Sequence, residues 1–406
     1  MPKYTYKARN ELGKAVHGTM EAKTAEDIAL KLRTMSYTPT HIEEAQGLSE
    51  IFGGEIGQSF QRIKVEDMLV FNVQLANMIE AGLTVLTSLN TIAGQTQNKK
   101  FKETIEDLSR LITAGLSFSE ALSHHPRIFS PLFQSMVKAG ETSGRLSGVL
   151  KHWADYMERQ EDLRQKINSA LFYPVLLLCV GIAVIILIVS FVIPQFVDIF
   201  TKAGIALPLP TRILYGIGIG FKKFWLLILT GAGLAWWGLR SYIRTESGGL
   251  NFDQLKLKLP VIGSIIRKVI VARFCRTLAT LVESGVPILQ SLDILKEVVG
   301  NKIIGGAIVN TRQSVEQGNK ISETLKTSQE FPPDAVQMIM AGEETGELGP
   351  ILNKIAEFYE SSVGYAVKKL TVLIEPLFIA VMGCMVGFIM ASMLLPIFDM
   401  MKTLRH

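Results

Sequence analysis

The residues of this chain able to carry chemistry are few, and their spacing argues against a reaction centre. The run from Gly140 to Arg145, GETSGR, has the glycines and hydroxyls of a phosphate loop but neither the spacing nor the lysine of G-x-x-x-x-G-K-[ST]. GIGIGFKK, from Gly216, resembles a glycine-rich loop, yet no strand precedes it and it opens an apolar helix, where small residues serve close helix packing. His124 and His125 precede Pro126 with no His or Cys cluster at ligand spacing, and no Cys/His or Ser/His pairing stands out. No catalytic residue, metal ligand or cofactor is therefore expected. The acids that remain of interest are Glu141, its later counterpart Glu343, and Glu375. The last lies beside Pro376 at a membrane boundary, where it is either a functional buried acid or a group that reaches water.

The elements around these residues are dominated by apolar runs. Residues 167–197 form 31 consecutive positions without a formal charge, and residues 376–398 another 23. Each exceeds the roughly 20 residues that a helix needs to cross a hydrocarbon core of about 30 Å. A third segment, Phe224–Leu239, offers 16 uncharged residues. With Lys222 and Lys223 snorkelling to the interface it can start near Ile213, and the pair Trp236–Trp237 fits an interfacial belt at its other end. Three spans put the termini on opposite sides. Lys151, Arg159, Arg164 and Lys166 flank the first span, Arg240, Arg244, Lys256 and Lys258 follow the second, and Lys368–Lys369 precede the third. That balance places the N-terminus and the large domains in the cytoplasm and the short tail outside.

The chain also repeats itself. LANMIEAGLTVLTSLNTI, from Leu75, matches LATLVESGVPILQSLDIL, from Leu278, with seven identities in 18 positions at an offset of 203. AGETSGRL, from Ala139, matches AGEETGEL, from Ala341, with five of eight identical at an offset of 202. Pro174 and Pro194 match Pro376 and Pro396 at the same offset. The repeated unit is a helical module plus one membrane helix, and the middle span returns the chain so that the second module begins on the same side as the first.

Apolar residues recur at helical spacing in each copy, as in Leu69, Val73, Ala76 and Ile79, and again in Leu146, Val149, Leu150 and Trp153. Gly82 and Gly285 are read as helix stops in a Schellman-type corner, with Thr84 or Pro287 opening the next helix. At the second corner Gly140 or Gly342 is expected to break the preceding helix. Ser143 or Thr345 is then the N-cap of the long helix that runs toward the membrane. Glu141 and Glu343 either bond free N–H groups of that helix or face a partner. The prolines mark the two edges of each copy's membrane helix, since 20 residues rise about 30 Å, and the inner one acts as a kink or a fresh start.

The N-terminal residues differ. Tyr4, Tyr6 and Ala8 alternate with polar neighbours, a turn follows at Asn10–Gly13, and residues 16–21 return as a strand. Thr24 begins a helix carrying Ile28, Leu32 and Met35 that ends before Pro39. The expected fold is mainly α: two homologous cytoplasmic helical-bundle modules with three transmembrane helices, plus a small N-terminal α+β domain. The expected boundaries are 1–45 for that domain, 46–64 for a linker with Gly47, Gly53, Gly54 and Gly57, 65–168 for module 1 and 169–197 for its membrane helix. An external loop at 198–212, a second membrane helix at 213–241, module 2 at 268–368, a third membrane helix at 371–398 and an external tail at 399–406 follow. MPKYTYKARNELG lacks the apolar core of a cleavable signal, and Cys179, Cys275 and Cys384 suggest no disulfide framework. A net charge of +5 is too diffuse to argue for nucleic acid.

The tandem E-x-G-[LV]-[TP] corners at Glu80 and Glu283, the two AGE-x-x-G-x-L corners and the proline-edged spans together resemble the type II secretion/type IV pilus inner-membrane platform family (PilC/GspF). YTYKARNELGKAVHGTMEA, from Tyr4, is similar to the opening of the pilus branch, and IPQFVDIFTKAGIALPLPT, from Ile193, to the family's external loop. The resemblance covers nearly the whole chain. It implies a bacterial inner-membrane protein at the base of a filament-assembly machine, with hexameric extension and retraction ATPases, pilin subunits and other pilus inner-membrane components as partners; the mild positive charge suits membrane lipid, and three spans with glycine-rich faces point to self-association. A type II secretion platform is the near alternative. A small membrane transporter is more distant, since the spans carry no charge at mid-membrane.

Overall fold

The computed structural model describes residues 3–9, 15–21, 24–34, 37–44, 63–202 and 209–403. The predicted turn at Asn10–Gly13, Met35 and the four linker glycines lie outside the described residues. The chain divides into two compact units, Met1–Met78 with Gly82–Ser117, and Ile79–Ala81 with Phe118–His406. This division does not follow the repeat.

In the first unit β1 (Lys3–Arg9) is the central strand of an antiparallel sheet, between β2 (Ala15–Glu21) and β3 (Thr38–Glu44). Tyr4 pairs with Met20 and Ala8 with Val16, so the alternation seen in the sequence becomes register. The third strand was not foreseen, because Pro39 reads as a stop. It sits opposite Ala8, where the register shifts, and a residue without an N–H is tolerated at such a bulge. Helix α1 (Ala25–Thr34) buries Ile28 and Leu32 against Ala8.

Three helices follow: α2 (Val65–Glu80), α3 (Val85–Gln95) and α4 (Lys99–Thr113). Gly82 adopts φ +87°, and the Leu83 N–H donates to the Met78 carbonyl at 3.0 Å, which closes a Schellman turn. Thr84 Oγ1 then accepts from the Thr87 N–H at 3.2 Å and caps α3. Asn98 caps α4 through the Phe101 N–H at 3.2 Å and donates to Asp67 Oδ2 on α2 at 3.2 Å. The buried face of α2 is carried by Phe71, Asn72, Leu75 and Ala76, while Val73 of the predicted stripe is exposed. The buried face thus lies about one position out of phase with the apolar stripe, because Asn72 takes a core position that its polar side chain does not advertise.

In the second unit α5 (Phe118–Ser123) and α6 (Pro131–Ser143) lead into α7 (Leu146–Leu187), which passes through a π turn at Ile188–Val192 into α8 (Ile193–Lys202). Next come α9 (Leu209–Arg244), α10 (Glu246–Lys258), α11 (Ile262–Glu283), α12 (Ile288–Val298), α13 (Lys302–Glu316), α14 (Ile321–Ser328), α15 (Pro333–Thr345) and α16 (Leu348–Thr403). Helices α11 to α16 share one core, with Phe274, Leu278, Leu295, Ile308, Ile339 and Ile355 at its centre. The second Schellman corner repeats the first: Gly285 has φ +80°, and the Val286 N–H donates to the Leu281 carbonyl at 3.0 Å.

Two helices among the described residues are long and apolar enough to cross a membrane, Leu146–Lys202 and Leu348–Leu394. A third candidate is the pair Leu209–Gly220 and Lys222–Arg244, bent by 60°. The helices do not end at Pro174, Pro376 or Pro396. Pro174 lies inside α7, α16 runs through Pro376 and Pro396 to Thr403, and neither helix makes a fresh start. At Pro194 the missing N–H is absorbed by the preceding π turn, whose Ile193 N–H reaches back to the Ile188 carbonyl. Where these helices meet, Val189, Ile193, Val197, Leu214 and Ile389 form a small apolar cluster. Gly218 belongs to that contact, since a Cβ there would fall 2.6 Å from the Val189 carbonyl oxygen.

Candidate functional site: the duplicated corner and the seam between the copies

The AGE corner is built the same way twice, and differently from its sequence reading. Glu141 Oε1 accepts from the Phe118 N–H at 2.6 Å and Oε2 from the Ser119 N–H at 3.1 Å. Glu343 does the same with Ile321 and Ser322, at 2.6 and 3.0 Å. Each carboxylate therefore caps the N-terminus of a short helix, α5 or α14, that lies earlier in the chain. It does not cap the long helix that follows. A negative charge on free N–H groups at a positive helix end forms charge-assisted bonds that hold two non-consecutive helices together.

The residues around each glutamate shift roles accordingly. Ser143 and Thr345 are not N-caps: they end α6 and α15, and their hydroxyls donate back to the carbonyls of Ala139 and Ala341 at 2.8 and 2.9 Å. The breaks come at Gly144 and Gly346, in the left-handed region at φ +67° and +73°. Gly140 and Gly342 do not break the helix. They are buried inside it, and a Cβ at Gly140 would meet Val149 Cγ2 at 3.0 Å, while one at Gly342 would meet the Leu348 Cα at 3.3 Å. Their lack of a side chain lets the long helix pack back onto the one it leaves.

In the second unit α7, which carries the first copy's membrane segment, lies along α11 and α16 of the second copy. The Tyr156 hydroxyl bonds Thr277 Oγ1 at 3.3 Å in a buried contact, and burial pushes the phenol up from its ordinary pKa. Arg159 pairs with Glu357 at 3.2 Å, and Thr371 Oγ1 donates to the Ala170 carbonyl at 3.2 Å. Behind this seam the buried Arg276 grips both oxygens of Glu360 at 2.9 Å and donates to Asn353 Oδ1 at 2.6 Å. Asn353 in turn donates to Glu283 Oε1 at 2.6 Å, which fixes α11 to α16. Among the described residues no group of three or more His, Cys, Asp or Glu side chains could hold a metal ion.

The family description "Type II secretion system (T2SS), protein F" matches residues 71–194 and again 274–396, and the N-terminal domain of the same family matches residues 1–43. The chain belongs to this family. The two matches are the two copies seen in the sequence, each ending in an apolar helix, and membership makes this an inner-membrane protein. The family is one of membrane platform proteins.

Among its relatives is the type IV pilus assembly protein PilC of Thermus thermophilus, 40% identical over 409 residues that cover 100% of this chain and 99% of that protein. PilC of Myxococcus xanthus is 33% identical, over 98% of this chain and 94% of that protein. The type II secretion system protein F of Pseudomonas aeruginosa is 30% identical, over 98% of this chain and 99% of that protein.

Within this family framework Glu375 is exposed on α16, and its side chain forms no hydrogen bond or ion pair among the described residues. Sequence reasoning missed the Arg276–Glu360–Asn353–Glu283 network. The signal was present, because Arg276 interrupts an otherwise apolar and small-residue face of α11, where a buried charge needs partners.

Proposed function

We propose that the chain is the inner-membrane platform of a type IV pilus assembly machine, coupling cytoplasmic ATPases to the insertion and removal of pilin subunits. The observation that carries this reading is end-to-end similarity to a type IV pilus assembly protein at 40% identity, against 30% for a type II secretion F protein of similar coverage. In this reading the chain crosses the membrane three times, α9 being the return span, with both modules cytoplasmic and the C-terminus periplasmic. The N-terminal sheet and α1 form a separate α+β domain, joined by the linker at 46–64. The chain works without catalysis of its own. A pilin's apolar stem must leave lipid at about 25 cal/mol per Å² of apolar surface exposed, so extraction needs an external motor and a sheltered path. In this reading the capped corners and the seam brace the helices of the second unit that carry a motor's displacement to the membrane segments. Self-association would complete that path.

Deletion of the gene in its own host tests the assignment. Surface pili should vanish and return on complementation, while secretion of exoproteins is unchanged. Intact pili with lost exoprotein secretion would move the chain to the second reading, a type II secretion platform.

A further inference from the structure

Within the second unit α7 and α16 run side by side toward their apolar segments. The last charge on α7 before its uncharged run is Lys166, and Lys368 stands at the equivalent position of α16, 202 residues later. Between the two helices lies an open groove of about 560 Å³, lined by Arg159, Asp162 and Lys166 on one wall and Gly364, Tyr365 and Lys368 on the other. The Arg159–Glu357 pair bridges it at the end away from the membrane, and the Thr371–Ala170 hydrogen bond bridges the helices on the membrane side.

The charges in this groove are unevenly spent. Of its acids, Glu357 is paired with Arg159, and Glu360 is held by Arg276. Asp162, one turn before Lys166, forms no ion pair among the described residues. Neither Lys166 nor Lys368 has an ion-pair partner there, so the membrane end of the groove presents two free ammonium groups, one from each copy. Gly364 leaves that wall open, with nothing within 4 Å of where a Cβ would stand. Just beyond, Leu171, Phe172, Val372 and Leu373 are exposed and give an apolar surface at the depth of acyl chains.

We propose that the membrane end of this groove binds the phosphate headgroup of an anionic glycerophospholipid, with Lys166 and Lys368 as its cations. A lysine is a compact charge with three donors, suited to phosphate oxygens, and a basic pocket between membrane helices at headgroup level matches an anionic lipid in charge and depth. The bound lipid would bridge the two copies where they enter the bilayer. The inference rests on α7 and α16 crossing the membrane and is independent of which machine the chain serves.

The test uses the full chain in nanodiscs of phosphatidylcholine doped with phosphatidylglycerol, with phosphatidylglycerol retained after release counted by native mass spectrometry. The Lys166→Gln/Lys368→Gln variant should lose retention on the order of tenfold. Arg164→Gln/Lys369→Gln, which removes the same charge from the same helices outside the groove, should lose little, and Lys166→Arg/Lys368→Arg should retain most. Equal loss in both glutamine pairs would reduce the effect to diffuse surface charge and overturn the site, as would undiminished retention. Displacement of the lipid by millimolar inorganic phosphate would overturn the lipid as occupant in favour of a soluble anion.

Discussion

Replacing Glu141 by alanine removes two charge-assisted bonds at once, to the N–H groups of Phe118 and Ser119 at 2.6 and 3.1 Å. Bonds to a charged group contribute about 1.5–3 kcal/mol each, and a lost N-cap costs about 0.5–2 kcal/mol. The site is half-buried, so water recovers part of this, and a loss of about 2–3 kcal/mol is expected. For a unit of this size that lowers the melting temperature by roughly 3–5 °C. The sharper assay is hydrogen exchange at Phe118–Ser123, where the amides should exchange roughly 30- to 150-fold faster. Glu141→Gln keeps one acceptor oxygen and should cost about half as much. Glu343→Ala should reproduce the effect at Ile321–Ser328. Unchanged stability and unchanged exchange in both alanine variants would refute the capping argument. If pilus assembly were then lost, a direct partner contact would take its place.

Three further outcomes follow from the packing. Arg276→Met leaves Glu360 and Asn353 without their donor and should destabilise by about 2–4 kcal/mol in chemical denaturation, with Arg276→Lys intermediate because it cannot grip both oxygens. Asn72 is fully buried with neither side-chain polar atom hydrogen-bonded, and the second copy places Cys275 at the equivalent position. Asn72→Cys should therefore stabilise by about 1–2 kcal/mol, read as a higher denaturation midpoint. The raised pKa of Tyr156 favours the folded state fully below pH 10 and loses that contribution as pH rises through the folded value. Stability measured from pH 9 to 11 should thus fall less steeply in Tyr156→Phe than in the parent.

Much of this architecture was legible in the sequence because the repeat supplied a second reading of each element. The Gly82 and Gly285 turns could be recognised as helix stops from local chemistry alone, a glycine followed by an apolar residue and then by Thr84 or Pro287. The AGE corners were harder. Ser143 and Thr345 have the side chains of N-caps, but hydroxyls inside a helix bond back to the preceding turn equally well. The two glycines of each motif also differ in purpose, left-handed backbone at Gly144 and close approach at Gly140, which composition does not distinguish. The partners of Glu141 lie more than twenty residues earlier, so no local rule reaches them. The spacing of the prolines matches a bilayer, but proline did not mark a helix end: α7 continues through Pro174 and α16 through Pro376 and Pro396. The seam at Tyr156, Arg159 and Arg276 depends on tertiary pairing and left only one trace, a charge on an otherwise apolar helix face.

The most direct test of the platform assignment is site-specific photo-crosslinking in living cells of the native host. Probes at Met338 and Phe358, exposed on α15 and α16, should capture the assembly ATPase, and probes at Phe191 and Val381, exposed on the apolar helices, should capture pilin. Capture of neither at any of the four positions in actively piliating cells would contradict the account.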